Sequence, residues 1–184
     1  MKRLSGVSGT IFRRWDEARP GMRLAIGAAV LAAVGLTGLT PNVVLGQTLV
    51  WPYAAMVAAA GWGRSGLAFA PMAALVFFGL AQDVTSGAPI GCFALVNVLI
   101  FGASAGLNQM FDADRAGDLG TAVPLICIAL GFVLVWLIAS LSGGHVAKVL
   151  PLVTALVITV LFHIITAPLF DLGIRRGQNA GSAL

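Results

Sequence analysis

Charged residues are scarce in this chain. Lys and Arg total 11 and Asp and Glu total 7 among 184 residues, so 10% of the sequence is charged while 59% is hydrophobic. The mean hydropathy is +0.97, and the apolar share exceeds that of typical soluble domains. This composition excludes an ordinary water-soluble domain and predicts a protein whose main solvent is lipid.

The residues that catalysis and metal binding need are also few. The chain has two cysteines and two histidines, and none of them falls in a metal-ligand spacing or a catalytic pattern with a nucleophile. We therefore predict a protein that is not an enzyme and has no catalytic residue, metal or cofactor. Cys92 and Cys127 are expected at different membrane depths, too far apart for a disulfide.

Long uncharged runs predict membrane-spanning helices, because about 20 mostly apolar residues cross a hydrocarbon core about 30 Å thick. Turn-forming residues separate six such runs. The expected fold is an all-α integral membrane protein built as a six-transmembrane-helix bundle. The predicted spans are Met22 to Thr40, Gln47 to Gly61, Gly66 to Gln82, Pro89 to Gln109, Gly120 to Leu141 and Ala147 to Phe170.

The distribution of Lys and Arg predicts the orientation, because positive residues are enriched on the cytoplasmic side of a membrane. Six spans with a cytoplasmic N-terminus leave only Lys148 of the 11 basic residues outside. Both termini are therefore expected in the cytoplasm. The predicted organisation is a basic N-terminal segment (1–21), a six-helix membrane domain (22–172) and a short tail (173–184). Basic residues concentrated near the N-terminus favour an orientation signal or contact with anionic lipid over nucleic-acid binding.

Two stripes of polar residues lie within predicted spans. Span six carries Thr159, His163 and Thr166 on one helical face, and span four carries Asn97 with Ser104 and Asn108. An ionisable residue within a span is by default a functional hypothesis. A ligand site is one interpretation of His163 and Asn97, and interhelical hydrogen bonding is the favoured one.

Small residues on another face of span four predict close helix packing. Gly102 and Gly106 form a Gly-x-x-x-Gly pair, which lets two helix backbones approach each other. We predict that this helix packs centrally in the bundle or against a partner.

The most distinctive stretch connects spans three and four. It runs Gly79-Leu80-Ala81-Gln82-Asp83-Val84-Thr85-Ser86-Gly87-Ala88-Pro89-Ile90-Gly91. Ser86 to Pro89 has the composition of a tight turn, and Pro89 is expected to open the next helix. Asp83 is expected to accept hydrogen bonds from backbone N–H groups in that turn or at the start of span four.

This stretch resembles the signature of the MreD family of rod shape-determining proteins, in which Gly-Leu-x-x-Asp precedes Ser-Gly, a small residue and Pro-Leu-Gly. Ile90 replaces the common leucine of that signature, and Thr85 stands where aliphatic residues are frequent. The matching positions are Gly79, Asp83, Gly87, Pro89 and Gly91, which the resemblance suggests shape a turn or a partner surface.

The resemblance implies a non-catalytic scaffold of the bacterial elongation machinery in the inner membrane, active in rod cell shape and side-wall peptidoglycan synthesis. The implied partner is the bitopic protein MreC. Through MreC the chain is expected to reach RodA and its partner transpeptidase, under the MreB cytoskeleton.

A second family also resembles the chain in length and six-helix layout. The substrate-binding S components of energy-coupling factor vitamin transporters dock their coupling subunit through small residues, similar to Ala28-x-x-x-Ala32 and Ala29-x-x-x-Ala33 here. Such a protein needs an outward pocket with convergent polar groups, for which the sequence offers Asp83, Thr85 and Asn97.

Overall fold

The computed structural model describes residues 19–38, 43–44, 47–48, 52–65, 67, 69–86, 88–111, 118–143 and 149–172. These ranges contain six helices and one ladder of two short strands. In chain order the elements are α1 (Pro20–Gly38), β1 (Val43–Val44), β2 (Gln47–Thr48), α2 (Ala54–Trp62), α3 (Phe69–Ser86), α4 (Cys92–Phe111), α5 (Asp118–Gly143) and α6 (Val149–Phe170). The predicted tail (173–184) and all but the last three residues of the predicted N-terminal segment lie outside the described ranges.

Five helices are long and apolar enough to cross a membrane, namely α1, α3, α4, α5 and α6. Their outward faces carry large apolar side chains, such as Phe77 on α3, Val133 on α5 and Ile165 on α6. Apolar residues on the outside are expected where the surrounding solvent is lipid. The prediction of a helical, multi-pass membrane protein is confirmed.

The second predicted span differs from the structure. In place of one helix over 47–61, the chain forms the antiparallel β1–β2 ladder and then the nine-residue helix α2. Nine residues rise about 13 Å, less than half of a hydrocarbon core. A proline disfavours helical backbone in the residue before it, and the helix begins only at Ala54, two residues after Pro52.

Helix α2 lies at the centre of the bundle. All nine of its residues are buried, and it packs against each of the other five helices. Five of the nine residues are alanine, and their small side chains let several neighbours approach at once. A helix that is apolar on every side is suited to this position because no face has to meet polar surroundings.

Contacts between helix ends fix the direction of the chain. Arg23, at the start of α1, donates from Nη1 to the backbone oxygen of Asp171, just after α6, at 3.3 Å. Gly61, near the end of α2, lies against Phe170. We call this side of the bundle the arginine end. The opposite side, where α3 ends and α4 begins, is the Asp83 end.

The start of α2 lies near the middle of the bundle. The backbone N–H of Tyr53 donates to Oγ1 of Thr159 at 3.0 Å, and Thr159 is halfway along α6. The Tyr53 ring contacts Phe93 of α4 and Phe132 of α5, each with centroids 5.2 Å apart. Helix α2 therefore runs parallel to α6, from the middle of α6 and the beginning of α4 to the arginine end.

Candidate functional site

The connection between α3 and α4 is a compact turn at the Asp83 end. The backbone N–H of Ala88 donates to the carbonyl oxygen of Asp83 at 3.2 Å, and the N–H of Cys92 donates to that of Pro89 at 3.0 Å. Gly91 has φ of 92°, in the left-handed region that glycine adopts without strain. This residue reverses the chain directly before α4 begins.

Asp83 is buried beneath this turn, with 1% of its surface exposed. Its Oδ2 accepts the backbone N–H of Gly91 at 2.8 Å, and its Oδ1 accepts that of Phe93 at 2.7 Å. The prediction that Asp83 accepts backbone hydrogen bonds at the start of span four is confirmed. The carboxyl group caps α4 from the preceding helix, where the partial positive charge of a helix N-terminus stabilises it.

Gly79 sets the distance between the two helices. A Cβ atom added to Gly79 would overlap the backbone of Ala94 and approach that of Phe93 at 2.9 Å. Any side chain here would push α4 away from α3 and lengthen the hydrogen bonds of Asp83, which is one helical turn further along the same face. Gly79, Asp83 and Gly91 therefore form one interlocked unit, which we call the capped turn.

Two positions of the MreD-like signature remain, Gly87 and Pro89. Gly87 lies outside the described residues. Pro89 is exposed and does not open the helix as predicted, because α4 begins three residues later at Cys92. The left-handed backbone of Gly91 is incompatible with a right-handed helix that starts at Pro89.

Two large apolar side chains are exposed at the capped turn. Ile90 is 85% exposed and Val84 is 76% exposed, whereas the carboxyl group beneath them is closed off. A partner could contact these two side chains and could not contact Asp83 itself. From the sequence alone, Ile90 is only a substitution in the signature. Its exposure follows from the turn geometry that the Gly91 backbone creates.

Gly102 and Gly106 lie on the face of α4 that is turned away from the described helices packed on it. No atom lies within 4 Å of a Cβ added to either glycine, and Gly102 is exposed. The described helices therefore do not meet at this pair, and α4 takes its central position through its opposite face. Helix packing at this glycine pair is not seen among the described residues, and a contact with a partner stays a prediction.

The polar residues of α6 share one buried face. Thr159, His163 and Thr166 are all buried, as the spacing predicts. Thr159 accepts the interhelical bond from Tyr53, and the Thr166 hydroxyl donates within the helix to Phe162 at 2.7 Å. The Nδ1 atom of His163 is buried without a hydrogen-bond partner. This face therefore serves helix packing at Thr159, while Nδ1 of His163 accepts or donates no hydrogen bond among the described residues.

Asn97 is fully buried on the face of α4 that meets α2. On either side of it along α4, Phe93 contacts Tyr53 and the Ser104 hydroxyl donates to the carbonyl oxygen of Ala60 at 2.7 Å. Neither polar atom of the Asn97 amide has a hydrogen-bond partner in the part of the chain that the structure describes. Asn97 and His163 lie on different helices, and no described hydrogen bond joins them.

The chemistry available to the described residues is mainly structural. Both carboxyl oxygens of Asp83 accept backbone hydrogen bonds, so this group acts as a helix cap. No group of three His, Cys, Asp or Glu residues that could hold a metal occurs within the described ranges. Cys92 and Cys127 are buried free thiols, as expected from their predicted depths.

Comparison with protein-family models, curated proteins and solved structures found no match for this chain.

Proposed function

We propose that this chain is a non-catalytic scaffold of the bacterial elongation machinery in the cytoplasmic membrane. In this role it associates with MreC and, through MreC, with RodA and its partner transpeptidase under the MreB cytoskeleton. The observation that carries the proposal is the capped turn. Three positions of the MreD-like signature, Gly79, Asp83 and Gly91, form a single interlocked unit.

The geometry of the capped turn supports a structural role for the signature. A carboxyl group that served as a ligand or an acid would need to be accessible, whereas the Asp83 oxygens are both occupied by backbone donors. What the turn offers to a partner is a fixed apolar surface around Val84 and Ile90. A rigid recognition surface lowers the entropy lost on binding, which suits a scaffold.

The arrangement of basic residues supports a cytoplasmic arginine end. Arg19, Arg23 and Arg64 all lie at this end among the described residues, and the positive-inside rule assigns such an end to the cytoplasm. The start of α1 and the end of α6 share this end, consistent with two cytoplasmic termini. The capped turn then faces the outer side, where it could meet an extracytoplasmic or membrane-spanning partner.

The vitamin-transporter alternative has less support from these side chains. Two of its three polar pocket residues are closed off by protein, because Asp83 is 1% exposed and Asn97 is 0% exposed. The third, Thr85, is exposed and donates to the backbone oxygen of Gln82 at 3.1 Å. These residues therefore do not converge on an accessible polar surface.

Depletion of the protein in its rod-shaped host tests the proposal, with microscopy in the presence and absence of added vitamins. We expect cells to round and widen, and vitamins not to restore the rods. Co-purification with MreC should be lost for Asp83→Ala and kept for Thr85→Ala, an exposed neighbour of the turn. Rods that persist with a vitamin-dependent growth defect would instead identify the transporter.

A further inference from the structure

The capped turn pairs its backbone polar groups within the protein. Residues 88–93 carry five backbone N–H groups, because the proline at position 89 has none, and at least four of the five donate within the turn. The acceptors are the backbone and carboxyl oxygens of Asp83 and the carbonyl oxygen of Pro89. A turn in water can hydrogen-bond to the solvent, whereas a segment surrounded by lipid has to satisfy these groups internally. The pairing of this turn suits the second environment.

The side chains of the turn follow the same pattern. The hydroxyl groups of Thr85 and Ser86 both donate to the carbonyl oxygen of Gln82, at 3.1 and 2.7 Å. The large side chains exposed beside them, Val84 and Ile90, are apolar. Exposed apolar side chains of this kind mark a surface that contacts a membrane or another protein.

The rest of the Asp83 end is also poor in charge. Large apolar side chains are exposed where α1 and α5 end and where α6 begins, namely Leu36, Leu141 and Leu150. Within the described ranges, the charged side chain at this end is that of Asp83, which is buried. At the opposite end, Arg19 is exposed. The charge distribution therefore favours water at the arginine end and lipid around the capped turn.

The length of α3 agrees with this placement. Its 18 residues, Phe69–Ser86, rise about 27 Å, whereas a hydrocarbon core is about 30 Å thick. A tilted helix reaches less far still. A helix of this length that starts at one edge of the core ends inside it, and the turn that follows does not emerge into water.

We propose that the capped turn is immersed in the bilayer, with Val84 and Ile90 in contact with lipid acyl chains. The immersion rests on the hydrogen bonds, the exposed side chains and the helix length, and is independent of the scaffold role. It has a consequence for that role, because a partner then has to meet this surface from within the membrane. An extracytoplasmic domain alone does not reach it.

Spin labels on the full-length chain measure the depth of the turn. The two native cysteines, which are buried, are replaced by alanine, and single labels are attached to Ile90→Cys and Val84→Cys. Val157→Cys on the exposed face of α6 is the reference for lipid, and Arg19→Cys at the arginine end is the reference for water. Each chain is reconstituted into vesicles of phosphatidylcholine and phosphatidylglycerol, and circular dichroism checks its helix content. Relaxation of the label by oxygen, which concentrates in lipid, is compared with relaxation by a water-soluble nickel chelate.

We expect oxygen to relax the labels at Ile90 and Val84 more than the chelate does, as at Val157 and opposite to Arg19. Stronger relaxation by the chelate at the two turn positions would place the turn in water and overturn the proposal. Protection of both labels from both reagents would show that a protein surface, such as a second copy of the chain, covers the turn, and would also overturn lipid contact. The assay needs no partner protein, so its result is distinguishable from that of the depletion experiment on the scaffold role.

Discussion

Replacement of Asp83 by alanine removes the cap of α4 while the surrounding helices remain. The backbone N–H groups of Gly91 and Phe93 then lose their acceptor, at 2.8 and 2.7 Å in the native structure. Asp83 is 1% exposed, so water does not readily replace the lost oxygens. One buried donor (Phe93) and one half-buried donor (Gly91) are left unsatisfied, which is more severe than the loss of an exposed helix cap.

The expected loss of stability follows from these two bonds. Substitution of an N-cap costs about 0.5–2 kcal/mol, and a buried group left without its partner costs about 1–3 kcal/mol. We therefore expect Asp83→Ala to lower the free energy of unfolding by about 2–4 kcal/mol. Asp83→Asn should cost roughly half as much, because its amide keeps one acceptor oxygen and presents a donor to the other N–H.

Reversible unfolding in mixed detergent micelles, followed by the circular dichroism of the helices, measures this difference. Thr85→Ala is the matched control, since its hydroxyl is exposed and bonds only within α3. Surface substitutions usually change stability by less than about 0.5 kcal/mol. An Asp83→Ala protein as stable as Thr85→Ala would refute the capping role and, with it, the structural interpretation of the signature.

Four further substitutions test packing in the bundle, each by the same unfolding measurement. Gly79→Ala should lower the free energy of unfolding by more than about 1 kcal/mol, because its Cβ overlaps the Ala94 backbone. Gly102→Ala, the control, should leave stability unchanged or raise it by up to about 1 kcal/mol. Equal effects of the two substitutions would contradict the close approach of α3 and α4. Asn97→Leu should raise stability by about 1–3 kcal/mol, since it removes an unpaired buried amide; a loss would reveal a partner for that amide. Thr159→Val should cost about 1 kcal/mol by leaving the Tyr53 N–H unpaired, and an unchanged protein would show that this bond contributes nothing.

The long helices can be predicted from the sequence because the hydropathy of a segment indicates whether lipid or water surrounds it. The last predicted span, Ala147 to Phe170, ends at the same residue as α6. The run over 47–61 is also uncharged but forms a short helix after Pro52. Hydropathy averages over residues and does not report whether an apolar run is regular along its length. In this run, therefore, the length of the apolar sequence does not predict the length of the helix.

The predictions for Asp83 and for the pair Gly102 and Gly106 show which features of the site can be predicted from the sequence. Asp83 and its backbone donors are at most ten residues apart, so local turn chemistry is enough to predict their bonds. The direction in which Gly102 points depends on where α3 and α5 pack around α4. A glycine pair on a helix is compatible with an inner or an outer face, and one unaligned sequence does not distinguish them.

The nine-residue helix α2 has a consequence for biogenesis. Its rise of about 13 Å is too short to be retained as an independent span during insertion, and its buried surface is covered by five other helices. Four of those helices are synthesised after it. The bilayer can hold the long helices as they emerge, but the environment of α2 is completed only when α6 has been inserted. The centre of the bundle is therefore assembled last, although its sequence emerges second.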